Sequence, residues 1–426
     1  MVEPESDAPR WSRKRRVAIK LLVVFCALLV GLFIAEIALR IIGYSYPVFY
    51  TTDLERGYAL SPGAEGWYRK ENKTYVRINS RGLRDREHAL AKPPDTLRLA
   101  VVGDSYAEAL QVRAEEAFWA VIERELQTCG ALAGRRVEVI NFGVSGYGTT
   151  QELLTLRKHV WDYSPDIVLL AVTTNNDITD NSRTLKQTDE IPYFVRRDGR
   201  LVLDDSFLHT RAFRLRNSAL SRAGRWIRDR LRFVQAIHEG HGAIKAAIAA
   251  RGAQTSQTQQ QQEKQQAKET TGAAAADVGG AASGDVGIDN MIYREPADEV
   301  WREAWSVTEQ LLVLMRDEVE SRGARFFVAT LSNGGQVHPN PKARAEFAAR
   351  VGATDLLYPD LRLRALGERT GFTVWNLAPE LQVYAEQQRV YLHGFGSDIG
   401  NGHWNETGHR VAGQLLAQKL CEALAR

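Results

Sequence analysis

Cysteine and methionine are almost missing from this 426-residue chain, at three residues each. No cluster of Cys and His has metal-ligand spacing, so neither a structural metal nor any other cofactor is expected. An excess of charge is lacking too. The 55 Lys and Arg stand against 52 Asp and Glu, and a formal +3 supplies no field for gripping a polyanion. No nucleic-acid-binding motif occurs, so nucleic acid is excluded as a partner. Internal repeats are absent, and long apolar runs are confined to one place near the N-terminus.

There, "WSRKRRVAIK" precedes "LLVVFCALLVGLFIA". Val17 to Ala35 makes 19 mostly apolar residues, enough to span a hydrocarbon core if Lys20 snorkels to the interface. A buried helix or a cleavable signal peptide are the other readings. The run continues past the ~7–15 apolar residues of a signal peptide without a small-x-small cleavage site. Phe25 before Cys26 does not suit a lipoprotein signal. The expectation is a basic cytoplasmic N-terminus over 1–16 and a membrane anchor over 17–42. The remainder then lies outside the cytoplasm, in the periplasm of a Gram-negative cell. Such a compartment permits Cys129 and Cys421 to pair, although two free core thiols fit equally well.

Residues 43–95 are rich in Gly, Pro, Tyr and charge and read as an ordered extended juxtamembrane segment rather than a free tether. From 96 to 426 short apolar runs alternate with amphipathic stretches, the pattern of a parallel sheet with helices on both faces. Strands are expected at 97–103, 136–142, 166–173, 324–331 and 372–377. Helices are expected at 115–126, 150–161, 297–320 and 405–425, each apolar at i, i+3, i+4 spacing. Between the third and fourth strands lies an insertion, 183–295. It holds a basic amphipathic stretch (208–240), read as a solvated face or a lipid-surface helix. It then runs through a Gln-, Ala- and Gly-rich piece (252–290) with almost nothing to bury, for which disorder is expected.

Four loops at one end of this sheet carry groups that can do chemistry. "GDSY" places Ser105 where the first strand hands over to a helix, at the carboxyl edge where open α/β sheets bind ligands. A hydroxyl there either caps the helix or meets a substrate. "NFGVSGYG" follows the second strand, and its glycines let backbone N–H groups approach an oxyanion, or merely make a turn. "TNND" follows the third, where Asn176 either turns its amide into the same pocket or forms an Asx turn. "HGFGSDIGNGHWNETGH" places His403 in a Gly-rich loop before the last helix, positioned to serve as general base and then general acid. His409 lies within that helix as a packing or surface residue, and Asn405 is its expected cap.

The ordered quartet Ser, Gly, Asn, His resembles the SGNH hydrolases, also called GDSL esterases and lipases, over roughly residues 97–426 without the insertion. The resemblance implies an α/β, flavodoxin-like, three-layer α/β/α domain with a five-stranded parallel sheet, and ester hydrolysis or acyl transfer without a cofactor. It makes Ser105 the nucleophile and His403 the base. The oxyanion hole would be the Ser105 and Gly146 N–H groups with the Asn176 side chain, and Asp104 would support the turn. Gly146 is preferred to Gly143 because the family's glycine follows the small residue, as in "VSG".

Two positions depart from the family. Thr174 stands where the third block usually begins with Gly, and Gly400 stands where an Asp usually precedes the His by three residues. The acid behind His403 is therefore expected to be Asp398. Alternatively Asn401 or a backbone carbonyl accepts the Nδ1 proton, leaving a Ser–His dyad. In a flavodoxin-like domain the first and last helices pack on the same face, so Cys129 and Cys421 can pair.

The expected partners are the membrane, through the N-terminal helix, and an acylated cell-surface or exported glycan carrying a short acyl ester such as O-acetyl. The alternatives are an O-acyltransferase that modifies an exopolysaccharide and a non-catalytic glycan-binding assembly module.

Overall fold

A computed structural model describes residues 12–242, 244–245 and 288–426. The low-complexity stretch of the insertion lies outside these residues except for its last three positions. The chain divides into two units, Met1–Pro47 with Ala223–Asp277, and Val48–Arg222 with Val278–Arg426.

In the first unit, helix α1 (Arg13–Ile41) is capped by Ser12, whose hydroxyl accepts the Arg15 N–H at 3.4 Å. It starts one turn before the apolar run, taking in the basic cluster. The helix is long and apolar enough to cross a membrane. Near its end the Glu36 carboxylate accepts Arg40 Nε at 2.8 Å and the Phe233 N–H at 3.0 Å. Arg232 donates to Ser45 Oγ at 2.7 Å, and the Tyr46 N–H to Gln235 Oε1 at 2.9 Å. Part of the basic stretch of the insertion is thereby tied to the end of the apolar helix.

The second unit opens with two antiparallel hairpins, β1 (Tyr50–Asp53) with β2 (Gly57–Leu60) and β3 (Glu65–Tyr68) with β4 (Thr74–Arg77). The first turn is closed by Asp53, whose carboxylate accepts the N–H groups of Glu55 and Arg56 at 3.0 and 2.8 Å. Phe49, Leu60, Val76 and Ile78 are buried together with Leu110, Val144 and Tyr147 of the following α/β region. Residues 48–95 thus pack as part of this unit.

Then come the strands β5 (Thr96–Gly103), β6 (Arg136–Asn141) and β7 (Ile167–Thr173). A small hairpin in the insertion follows, β8 (Tyr193–Arg197) with β9 (Arg200–Asp204). Last are β10 (Arg325–Leu331) and β11 (Thr373–Asn376). The five-stranded sheet has the order β11-β10-β7-β5-β6 and every pairing is parallel. Numbered along the chain this is 2-1-3-4-5, the flavodoxin-like order.

Alternation along β5 builds the layers. Leu97, Leu99 and Val101 face one core with α3 (Phe118–Leu126) and the final helix, Glu406–Leu424. Ala100 and Val102 face the other, with α4 (Thr149–Lys158) and the helix Glu299–Ser321. Each such Leu or Val contributes about 1.5–3 kcal/mol by burial. Cys129, just after α3, and Cys421, in the final helix, are disulfide-bonded with a Cα–Cα distance of 5.8 Å.

Candidate active site

At the carboxyl edge β5 passes into a one-turn helix, α2 (Ser105–Glu108). Asp104 is its cap, accepting the Tyr106 N–H at 3.0 Å, so Ser105 is the first helical residue and its hydroxyl is left for another partner. The fully buried Asp104 carboxylate also accepts Thr173 Oγ1 and Asn176 Nδ2, each at 2.9 Å. One carboxylate thereby fixes the ends of β5 and β7 and turns the Asn176 amide toward the serine turn. Asn176 itself lies in a single helical turn, α5 (Thr174–Asp177), rather than an Asx turn.

His403 Nε2 lies 2.8 Å from Ser105 Oγ. Its Nδ1 lies 2.8 Å from each oxygen of Glu71. A carboxylate only accepts, so Nδ1 carries the hydrogen and the Nε2 lone pair faces the serine hydroxyl. The Glu71 carboxylate also accepts Gln111 Nε2 at 3.2 Å and the His403 N–H at 3.4 Å. Partial burial raises the Glu71 pKa, but hydrogen bonding and charge from His403, with help from Gln111, outweigh it and lower the pKa to about 2. Glu71 is therefore ionised throughout the neutral range.

The loop bearing His403 is held from beneath. Trp404 Nε1 donates to Ser332 Oγ at 2.9 Å, and Ser332 lies 3.1 Å from His393 Nε2. His393 Nδ1 is 2.9 Å from the Gly402 carbonyl. Burial pushes His393 down to about 4, so this ring is neutral and donates from Nδ1 to Gly402 while accepting from Ser332. His409 is buried and stacked on Phe118, accepting its N–H at 3.3 Å, a packing role.

The expectation for Asp398 is corrected by this geometry. Asp398 is exposed and its carboxylate accepts Asn401 Nδ2 at 3.2 Å, while Glu71 occupies the space against Nδ1. Asn401 does not take the Nδ1 proton either. Glu71 comes from the turn between β3 and β4, 332 residues before His403, so no spacing in the sequence connects the two. The turn is fixed through Gln111, whose carbonyl accepts Asn72 Nδ2 at 3.0 Å and Thr74 Oγ1 at 2.8 Å. In the sequence Glu71 is marked only as a carboxylate within a segment whose aromatics are poor material for a free tether.

The loop after β6 approaches α2 closely. A Cβ on Gly143 would stand 2.5 Å from Ala107 Cβ and 2.6 Å from the Glu108 nitrogen, so only glycine fits. The Gly143 N–H is taken by Asn141 Oδ1 at 2.9 Å. Gly146 has φ +76°, a left-handed conformation that favours glycine. Among the described residues, neither the Ser105 nor the Gly146 N–H donates to another group.

Ser145, the residue before Gly146, is gripped at both its N–H and its carbonyl. The Ser145 N–H donates to Glu108 Oε2 at 2.7 Å, and Tyr58 OH donates to the Ser145 carbonyl at 2.9 Å. Tyr50 OH, 2.9 Å from Glu108 Oε1, holds that carboxyl in turn. Complete burial raises Glu108 to about 7, against the pull of Tyr50, Ser145, Arg84 and His403.

Beside His403 opens a cavity of about 360 Å³, within the size range of small-molecule sites. Asn175, Asn176, Tyr293, Phe347 and Arg350 are among its walls. The described residues contain no group of His, Cys, Asp and Glu arranged to hold a metal ion.

No family model matches the chain, and no curated protein does. Similar solved structures include the acetyl xylan esterase AlAXEase, at 12% identity over 77% of this chain and 99% of that one, with a TM-score of 0.35. Another is a catalytic mutant of Axe2, an acetylxylan esterase from Geobacillus stearothermophilus, at 10% identity over 77% and 94% of the two chains, TM-score 0.35. A third is the lipase/acylhydrolase from Enterococcus faecalis, at 12% identity over 77% and 96%, TM-score 0.34.

Proposed function

We propose that the protein is a serine esterase whose catalytic triad is Ser105, His403 and Glu71. The observation that carries this reading is the unbroken path of 2.8 Å contacts from Ser105 Oγ through both ring nitrogens of His403 to Glu71. Ser105 Oγ attacks the ester carbonyl as its proton passes to His403 Nε2. Glu71 holds the imidazole in the receptive tautomer and stabilises the imidazolium that forms. The tetrahedral oxyanion is taken by the Ser105 and Gly146 N–H groups and the Asn176 amide. Collapse breaks the ester C–O bond, and the leaving alkoxide receives the proton from His403. A water molecule, deprotonated by the same ring, then releases the acid and restores Ser105.

The substrate we propose is a short acyl ester, such as O-acetyl, on a cell-surface or exported glycan. The domain would stand outside the cytoplasm, held to the membrane by α1. The basic cluster at the start of α1 and the Cys129–Cys421 disulfide both support that side of the membrane.

The test is hydrolysis of 4-nitrophenyl acetate by the full chain in detergent, with labelling by a fluorophosphonate. Turnover and labelling are expected in the native protein and neither in Ser105→Ala. Equal turnover in both proteins would end the serine-nucleophile reading.

A further inference from the structure

The cavity beside His403 has an electrostatic asymmetry that ester cleavage does not require. Arg350 lines it, and among the described residues no Asp or Glu does. The Arg350 guanidinium lies 5.3 Å from the centre of the Phe347 ring, a cation–π contact that steadies the head group without neutralising it. Its neighbour on the same helix behaves differently, for Arg344 is paired with Glu386. Arg362, on the next helix, pairs with Glu309 at 2.7 Å. Among the described residues Arg350 has no carboxylate partner.

The other walls suit a sugar. Asn175, Asn176, Asn333 and Asn401 line the cavity, and a carboxamide carries both a donor and an acceptor that suit a sugar hydroxyl. Tyr293 and Phe347 add apolar ring surface. A lipid chain would find too little apolar wall here.

We propose that this cavity binds the acylated sugar unit and that Arg350 recognises an anionic group on that unit or the next, making acidic glycans the preferred substrates. The inference rests on the esterase reading above. The planar guanidinium fork matches a carboxylate or a sulfate ester bidentately, so a uronic acid and a sulfated sugar present the same chemistry to it.

Acetate release by the full chain is measured on three O-acetylated oligosaccharides of equal length, built from a uronic acid, a sulfated sugar and a neutral hexose. The kcat/KM for at least one anionic substrate is expected to exceed the neutral one by about tenfold, the size of one charge-assisted contact, and the advantage should shrink as salt is added. The anion with the larger advantage identifies the source. In Arg350→Gln the anionic-to-neutral ratio should fall to near one, and Arg350→Lys should keep part of it. Equal rates on all three substrates, or a ratio unchanged in Arg350→Gln, would overturn the inference. So would cleavage of none of them by a protein that still hydrolyses 4-nitrophenyl acetate through Ser105, an outcome that leaves the esterase reading standing. Hydrolysis of 4-nitrophenyl acetate that survives Ser105→Ala would remove both.

Discussion

Glu71 and Asp398 give opposite predictions. Replacing Glu71 by Gln leaves an amide in place of the charge that orients and stabilises the His403 ring, and loss of such a charge lowers turnover by up to about 10⁴-fold. Asp398→Asn should leave kcat within a factor of two or so of native, since among the described residues that side chain's hydrogen-bond partner is Asn401. Steady-state kinetics on the two variants separate the assignments. Ser105 and His403 of the proposed triad stand out in the sequence because one sits in a short block at a strand end and the other in a Gly-rich loop before the last helix. Glu71 does not, because a carboxylate delivered by a distant hairpin leaves no local pattern.

Glu108 makes a prediction about pH. Its folded pKa of about 7 lies above the ordinary glutamate value, so the folded protein holds more protons than the unfolded chain in between. The stability associated with the protonated group is complete below about pH 4.5 and is lost as the pH rises through 7. Glu108→Gln cannot titrate, so its urea midpoint should change less between pH 5 and 7.5 than that of the native protein. Parallel curves would show that Glu108 does not take up the proton. Glu71 has the opposite sign: its contribution is present above about 4.5 and disappears as the pH falls toward 2.

Among elements, the strands were the most legible. Each of the five expected strands lies within two residues of its observed bounds, because a fully buried parallel strand is a continuous apolar run between turn signals. The helix Pro341–Val351 left a weaker trace, since Val351 is the one residue it buries. The hairpins β1–β2 and β3–β4 were read only as extended chain. Their four-residue strands are too short for alternation to stand out.

The disulfide is also an element-scale feature, because it joins the end of α3 to the helix that begins just after His403. It closes a loop of 292 residues, so its loss should lower stability by about 2–4 kcal/mol through the entropy of the unfolded chain. At 25 °C, Cys129→Ser with Cys421→Ser should keep the native kcat, because Asn405 still caps the helix, accepting the Gly408 N–H at 3.0 Å. Thermal unfolding beside kinetics on that double variant checks both halves. A fall in kcat matching that of Glu71→Gln would mean the bond also positions His403.

At the scale of the whole molecule, the stretch between the apolar helix and the α/β sheet does more than connect them. It supplies Glu71, and it supplies Tyr50 and Tyr58, which grip the Glu108–Ser145 contact beside Gly146. On the proposed reading, a five-stranded sheet with all its loops is therefore incomplete without residues 48–95. Two truncations test this. A chain beginning at residue 43 lacks the apolar helix but keeps every group of the site, and should leave the membrane pellet while retaining turnover on 4-nitrophenyl acetate. A chain beginning at residue 96 should lose turnover at least as completely as Glu71→Gln in the full chain. The hairpins also cover Leu110, Val144 and Tyr147, so the shorter chain loses part of its core and its far-ultraviolet spectrum must be compared. The point substitution carries no such ambiguity. If the chain from residue 96 folds and keeps native turnover, or if Glu71→Gln is as fast as the native enzyme, the catalytic unit ends at the sheet and Glu71 is only a surface partner of His403.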